Sequence, residues 1–182
     1  MDEAKNEGHH FVELEPMSAE EYGWYGFIFY QMRQYDEAML HFTKARDLDP
    51  NYPFAHYFLG QCYIAQGKFP EAIAEQKICN NLFSSPWSHG RLAYAYACAG
   101  NTQQALAILD TLKKQSDTMY VASDVIASVY VALGDKEHAF EYLNKAVGER
   151  AGWMVWLKLD PIWDPIRKDP RFIVILKKMG LN

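Results

Sequence analysis

The side chains of this 182-residue chain that could do chemistry are six histidines, three cysteines and a set of carboxylates, and their spacing decides what they can do. His56 and His89 hold the same place in consecutive copies of a repeat described below, where stacked helices would bring them to about 10 Å. A zinc centre needs more ligands than this pair supplies. His9-His10 sits in a polar leader, and His41 and His138 fall where second helices are expected to face outward. Cys62, Cys79 and Cys98 lie inside helical patterns without a C-x-x-C spacing or an activating base, so they read as small buried thiols rather than as nucleophiles or a disulfide framework. Asp164 and Asp169 each precede a proline, which is a helix-start pattern and not an acid–base pair. A glycine-rich phosphate loop and a nucleophile elbow are both missing from the sequence. The expectation is a protein that is not an enzyme, with no catalytic residues, no metal and no cofactor.

Composition narrows the classes further. The chain is 49% apolar and 15% aromatic, ample for a continuous core. Its net charge is −5 with acids and bases interspersed, so no basic footprint for nucleic acid is present. The longest apolar-aromatic run, Tyr22 to Tyr30, is interrupted by Gly23 and Gly26 and falls well short of the roughly 18 residues of a spanning helix. Neither nucleic-acid binding nor membrane insertion is expected. No signal peptide is legible, and a cytoplasmic location is expected, or a periplasmic one if the chain is appended to a membrane-anchored regulator.

The elements that carry these residues recur at one interval. Ala38, Ala72, Ala105 and Ala139 are 34, 33 and 34 residues apart. Each marks where a second helix crosses a first, and the facing small residue is Gly26, Gly60, Ala93 and Ala127 in turn. Tyr25, Leu59, Leu92 and Ile126 precede those, and Phe29, Tyr63, Tyr96 and Tyr130 follow three residues on. Turns fall at Arg33-Gln34, Gly67-Lys68, Gly100-Asn101 and Gly134-Asp135, where glycine suits a left-handed helix stop. Antiparallel pairs are predicted at about 19–32 and 36–49, 53–66 and 70–82, 86–99 and 102–115, and 120–133 and 136–149, within ten or so helices. Upstream, Ala4 and Pro16 stand 34 residues before Ala38 and Pro50, so residues 1–18 read as a partial preceding repeat, the second helix of a hairpin cut from a longer array, or else as a leader. Gly8 should weaken that helix by about 1 kcal/mol relative to alanine.

This pattern resembles the tetratricopeptide repeat, in four copies over 19–52, 53–85, 86–119 and 120–153. The resemblance implies an all-α, right-handed superhelix of antiparallel helical hairpins, an α-solenoid, with residues 154–182 as a C-terminal cap. Three departures stand out: Gln76 where an aromatic is usual, Leu112 where a small residue is usual, and one residue missing near Ser84-Ser85. The tail, with Asp160-Pro161, Trp163, Asp164-Pro165-Ile166-Arg167 and Asp169-Pro170-Arg171-Phe172, is similar to segments that close such arrays in bacterial signalling and transcriptional regulatory proteins. It should cap the solenoid: Trp153 and Trp156 begin the cover, Asp164-Pro165 and Asp169-Pro170 start two short helices, and Phe172, Ile175, Leu176 and Met179 face inward. Lys177, Lys178 and Gly180 suit the end of the last helix.

What the resemblance implies about function is a surface. The family's groove positions fall on Phe27 and Tyr30, on Phe54, Tyr57 and Gln61, on Trp87, Arg91 and Tyr94, and on Asp124 and Ser128. Some of these rings should pack between hairpins, while Phe54, Tyr57, Trp87 and Tyr94 are expected to remain accessible to a partner. The groove has Arg91 but no lysine, and Gln61 and Asp124 stand beside it, which argues against the family's carboxylate clamp. An apolar peptide or partner segment is the expected ligand, in a regulatory part of a larger bacterial protein. The alternative is a domain that senses a small ligand, and a homodimer through the N-terminal face is a further expectation.

Overall fold

The computed structural model describes residues 2–181, and among them there are ten α-helices and no strand. The chain divides into two compact units, Met1–Ser84 and Ser85–Asn182. The first holds α1 (Asp2–Leu14) and two hairpins, α2 (Ala19–Gln31) with α3 (Tyr35–Leu48) and α4 (Pro53–Ala65) with α5 (Phe69–Leu82). The second holds α6 (Pro86–Cys98) with α7 (Thr102–Gln115) and α8 (Ser123–Ala132) with α9 (Lys136–Glu149). Two 3-10 turns (Gly152–Trp156 and Pro161–Trp163) and α10 (Pro170–Lys178) follow in that second unit.

The hairpins close through small residues, as the spacing predicts, and the small residue is matched to what it faces. A Cβ on Gly26 would lie 2.9 Å from the Phe42 ring, and one on Gly60 would lie 2.4 Å from Gln76 Nε2. Where the facing residue is Leu109 or Leu143, the first helix carries Ala93 or Ala127 instead. Gln76 therefore fills its aromatic position from a fully buried site and donates its amide to the Tyr57 carbonyl at 2.9 Å. Leu112, the second departure, is buried beside Gly90, whose missing Cβ leaves room for it and for Val125. Gly8 also proves to be a close approach: a Cβ there would sit 2.6 Å from Tyr25, so its helix-propensity cost is the condition for α1 packing on α2.

The turns follow the glycine rule except at the first. Gly67, Gly100 and Gly134 take φ of +71°, +76° and +78°, and at the equivalent place Arg33 takes φ +60°. That conformation costs an L-residue roughly 1–2 kcal/mol.

Two boundaries differ from expectation. Helix α8 starts at Ser123, not near residue 120, because Glu149 of α9 caps it. The Glu149 carboxylate accepts from the Ser123 amide at 3.1 Å and from the Ser123 hydroxyl at 2.8 Å, satisfying donors a helix start leaves bare. In the tail, Asp169 caps α10 as expected, accepting from the Arg171 amide at 3.0 Å. Asp164-Pro165, by contrast, starts no helix. Arg167 holds residues 164–168 in turns by donating to Asp164 Oδ1 at 2.8 Å, to the Asp160 carbonyl at 2.9 Å and to the Lys158 carbonyl. The other short helical turn begins instead at Asp160-Pro161, with Asp160 accepting from the Ile162 amide at 3.0 Å.

The tail covers α8 and α9 within the second unit. Met154, Leu157, Ile162, Trp163, Ile166, Phe172 and Ile175 are buried, whereas Trp153, Trp156, Leu176 and Met179 are only partly covered.

Candidate partner-binding faces

In the first unit the predicted face lies on α2 and α4. Phe27, Tyr30, Tyr57 and Gln61 are buried and Phe54 is half-buried. Their rings are laid edge to face around Phe58: Phe27 at 5.1 Å, Tyr30 at 5.1 Å, Phe54 at 4.5 Å and Tyr57 at 4.5 Å between centroids. Sequence reasoning missed Trp24, which tops this cluster. It is 42% exposed and its ring centroid is 5.2 Å from Phe54 and 5.9 Å from Phe27. Tyr52 flanks Phe54 at 6.0 Å and lies over Gly23, where a Cβ would be 2.8 Å from its ring. Burial, reinforced by Glu20 and Glu21, pushes the Tyr52 hydroxyl up to about 12, so it stays a neutral donor. Gln61, 3% exposed, has an amide nitrogen with no hydrogen-bond partner among the described residues.

In the second unit the face lies on α6 and α8. Trp87 is half-buried and stacks on Trp153 at 6.4 Å and 21°. The Arg91 guanidinium lies 5.8 Å from the Trp87 ring centroid, donates to Ser128 Oγ at 3.3 Å and stands 3.8 Å from Asp124 Oδ2. Ser128 in turn donates to the Val125 carbonyl at 2.7 Å. Arg91, Tyr94, Asp124 and Ser128 are all buried. Burial raises the Asp124 carboxyl above its ordinary range, and Arg91 only partly opposes this. Asp124 Oδ1 has no hydrogen-bond partner among the described residues.

The expected accessible quartet thus divides. Phe54 and Trp87 keep open surface, while Tyr57 and Tyr94 are buried and serve as packing beneath them. Trp24 and Trp153 are the additions, and their signal was only that each is a tryptophan within a few residues of a predicted groove position or of the predicted cap.

The other reactive side chains are structural. His56 is pinned by both ring nitrogens, Nδ1 at 2.6 Å from Glu75 and Nε2 at 2.9 Å from the Pro50 carbonyl. His41 does not simply face outward. It is half-buried against Tyr25 at 4.3 Å and Phe29 at 5.2 Å, and burial, with His9 adding to it, lowers its basicity. Cys62 and Cys79 are buried and Cys98 half-buried; burial pushes the Cys62 thiol up strongly and the Cys98 thiol up to about 11, which leaves both poor nucleophiles at neutral pH. Among the described residues no group of three or more His, Cys, Asp or Glu side chains is placed to hold a metal ion. No helix there is long and apolar enough to cross a membrane.

Small-residue crossings repeated at a fixed interval, each hairpin built as the last, define a helical-repeat protein. Models of the tetratricopeptide repeat match residues 29–75, 86–111 and 124–151, together more than half of the chain. The chain belongs to the tetratricopeptide repeat proteins. Among solved structures it is similar to TTC0263, a thermophilic tetratricopeptide repeat protein of Thermus thermophilus, at 18% identity and a TM-score of 0.67, covering 99% of this chain and 91% of that one. It is similar to YrrB, described as a tetratricopeptide repeat protein with an unusual peptide-binding site, at 14% identity and a TM-score of 0.55, covering 94% and 89%. It also matches a chain of the anaphase-promoting-complex hetero-tetramer Cut9–Hcn1 at 15% identity and a TM-score of 0.65, covering 98% of this chain but only 33% of that one. At these identities the likeness is one of fold. A search of the curated proteins found no match by sequence.

Proposed function

We propose that this chain is a protein–protein interaction module that binds a peptide or partner segment through aromatic faces on its first helices, as a regulatory part of a larger bacterial protein. The observation that carries the reading is Trp24, a large ring left 42% exposed on top of a ring cluster that is buried except for the half-buried Phe54. Exposed aromatics seated on a rigid apolar floor are the favoured anchors of protein interfaces. The half-buried Trp87, braced by Trp153 and Arg91, supports a second anchor. Arg91 is already engaged with Ser128 and Asp124, which argues against a carboxylate clamp. The peptide-binding site of YrrB and the assembly of Cut9 with Hcn1 are consistent with this reading.

The test is selection from a displayed random peptide library, followed by titration of a selected peptide against Trp24→Ala and Trp87→Ala. Each anchor should cost on the order of 2 kcal/mol of affinity while the fold is kept. Unchanged affinity with a large loss of stability would make both rings core. A metabolite that raised the melting temperature where no peptide did would favour a small-ligand sensor instead.

A further inference from the structure

Helix α1 carries a face that no other described residue of the first unit covers. Gly8 turns toward Tyr25 and Ile28, and a neighbouring stripe of the helix presents Glu3, Glu7, Phe11 and Leu14 at helical spacing, with Phe11 51% and Leu14 64% exposed. The single lysine of the helix, Lys5, lies over the Phe29 ring at 5.1 Å, so the outer face is acidic. Glu13 and Glu15 add two carboxylates at its C-terminal end, and the last turn has no basic residue. Carboxylates at the negative end of a helix dipole are unfavourable, and a cation brought there would relieve them.

The tail of the second unit offers the complementary shape and charge. An open cleft of about 290 Å³ runs between the end of α9, the first 3-10 turn and the end of α10. Ala146 and Met154 form its buried floor, Val147, Val155 and Met179 its walls, and Arg150 and Lys178 its rim. Val155 is 61% exposed, and Arg150 is the left-handed stop of α9 at φ +55°. Lys178 donates to Asn144 Oδ1 at 2.9 Å.

We propose that α1 of one molecule docks in the tail cleft of a second copy, Phe11 and Leu14 entering the apolar floor and Glu7 and Glu13 meeting Arg150 and Lys178. The two surfaces differ, so the contact is heterologous, and it builds a ring where the rotation closes and an open head-to-tail chain where it does not. This proposal stands apart from the peptide-binding reading, since none of its residues lies on the aromatic faces.

Sedimentation velocity over a concentration series of the full chain tests it, at about 0.05 M and about 0.5 M salt. The mass should rise with concentration above that of a single chain, and fall at the higher salt. Phe11→Asp and Val155→Asp should each be monomeric alone. Mixed in equal amounts they should form a discrete dimer, because the first keeps an intact cleft and the second an intact α1. Glu7→Lys and Lys178→Glu, both surface changes, repeat the design without touching apolar packing, and each should weaken association by about ten-fold or more. A wild-type chain that stays monomeric throughout overturns the proposal. So does an association that Phe11→Asp abolishes and Val155→Asp leaves intact, since that is α1 pairing with α1.

Discussion

Gly60→Ala is the change that tests most sharply how the hairpins are matched. In an exposed helix the substitution would gain about 1 kcal/mol of helix propensity. Here the new Cβ would lie 2.4 Å from Gln76 Nε2, 3.1 Å from its Cδ and 3.2 Å from its Cγ, so turning the amide end alone does not clear it. Gln76 must retreat as a whole and gives up its 2.9 Å bond to the Tyr57 carbonyl. Stranding that buried donor costs about 1–3 kcal/mol, and overpacking costs about 1–3 kcal/mol more. Net of propensity the loss is about 1–5 kcal/mol, or roughly 2–20 °C in melting temperature for a chain of this size. Thermal unfolding by circular dichroism reads it, and hydrogen exchange should place the weakening in α4 and α5. Adding Gln76→Leu reproduces the Ala93–Leu109 and Ala127–Leu143 pairings and should recover most of the loss, a coupling that a double-mutant cycle measures. A Gly60→Ala chain that melts higher than the wild type would refute the reasoning, because propensity would then outweigh the crossing.

Three further outcomes follow from single residues. Arg33→Gly should stabilise by about 0.5–1 kcal/mol in chemical denaturation, since it removes the left-handed strain at φ +60° and glycine's larger unfolded entropy offsets part of the gain. Phe172→Ala should cost about 3–5 kcal/mol, measured in the same way, because the ring is fully buried in the tail. Asp124, with its folded-state carboxyl raised by burial, binds more protons folded than unfolded in the range just above the ordinary carboxylate value. Its contribution to stability is therefore fully present at low pH and declines as pH rises through that range, so Asp124→Asn should flatten this part of the stability–pH curve.

The repeats were legible because their signal is local and periodic: one alanine, one glycine or alanine and one aromatic at fixed offsets are enough to place eight helices to within a few residues. The misses share a cause, which is that a distant side chain decides the matter. The start of α8 depends on Glu149, 26 residues away, and nothing near residue 120 announces it. Asp164-Pro165 and Asp169-Pro170 carry the same two-residue signature, yet Arg167 closes the first into turns. Pro170 also disfavours helix at residue 169, so the first segment had no length in which to form one. Gln76 read as a departure from the pattern, and it became intelligible only when Gly60 was seen to make room for it.

The candidate faces show where such reading stops. Groove positions carried over by register say which residues share a face of a helix; in the structure Arg91, Asp124 and Ser128 meet, and Phe27, Tyr30, Phe54 and Tyr57 surround Phe58. Register says nothing about what covers them. Burial is a property of the whole fold, and a ring as large as Phe58, one residue from Tyr57, takes up the space in which Tyr57 would otherwise be open. The exposed ring of the cluster is Trp24 instead, beside Gly23, where a Cβ would lie 2.8 Å from Tyr52.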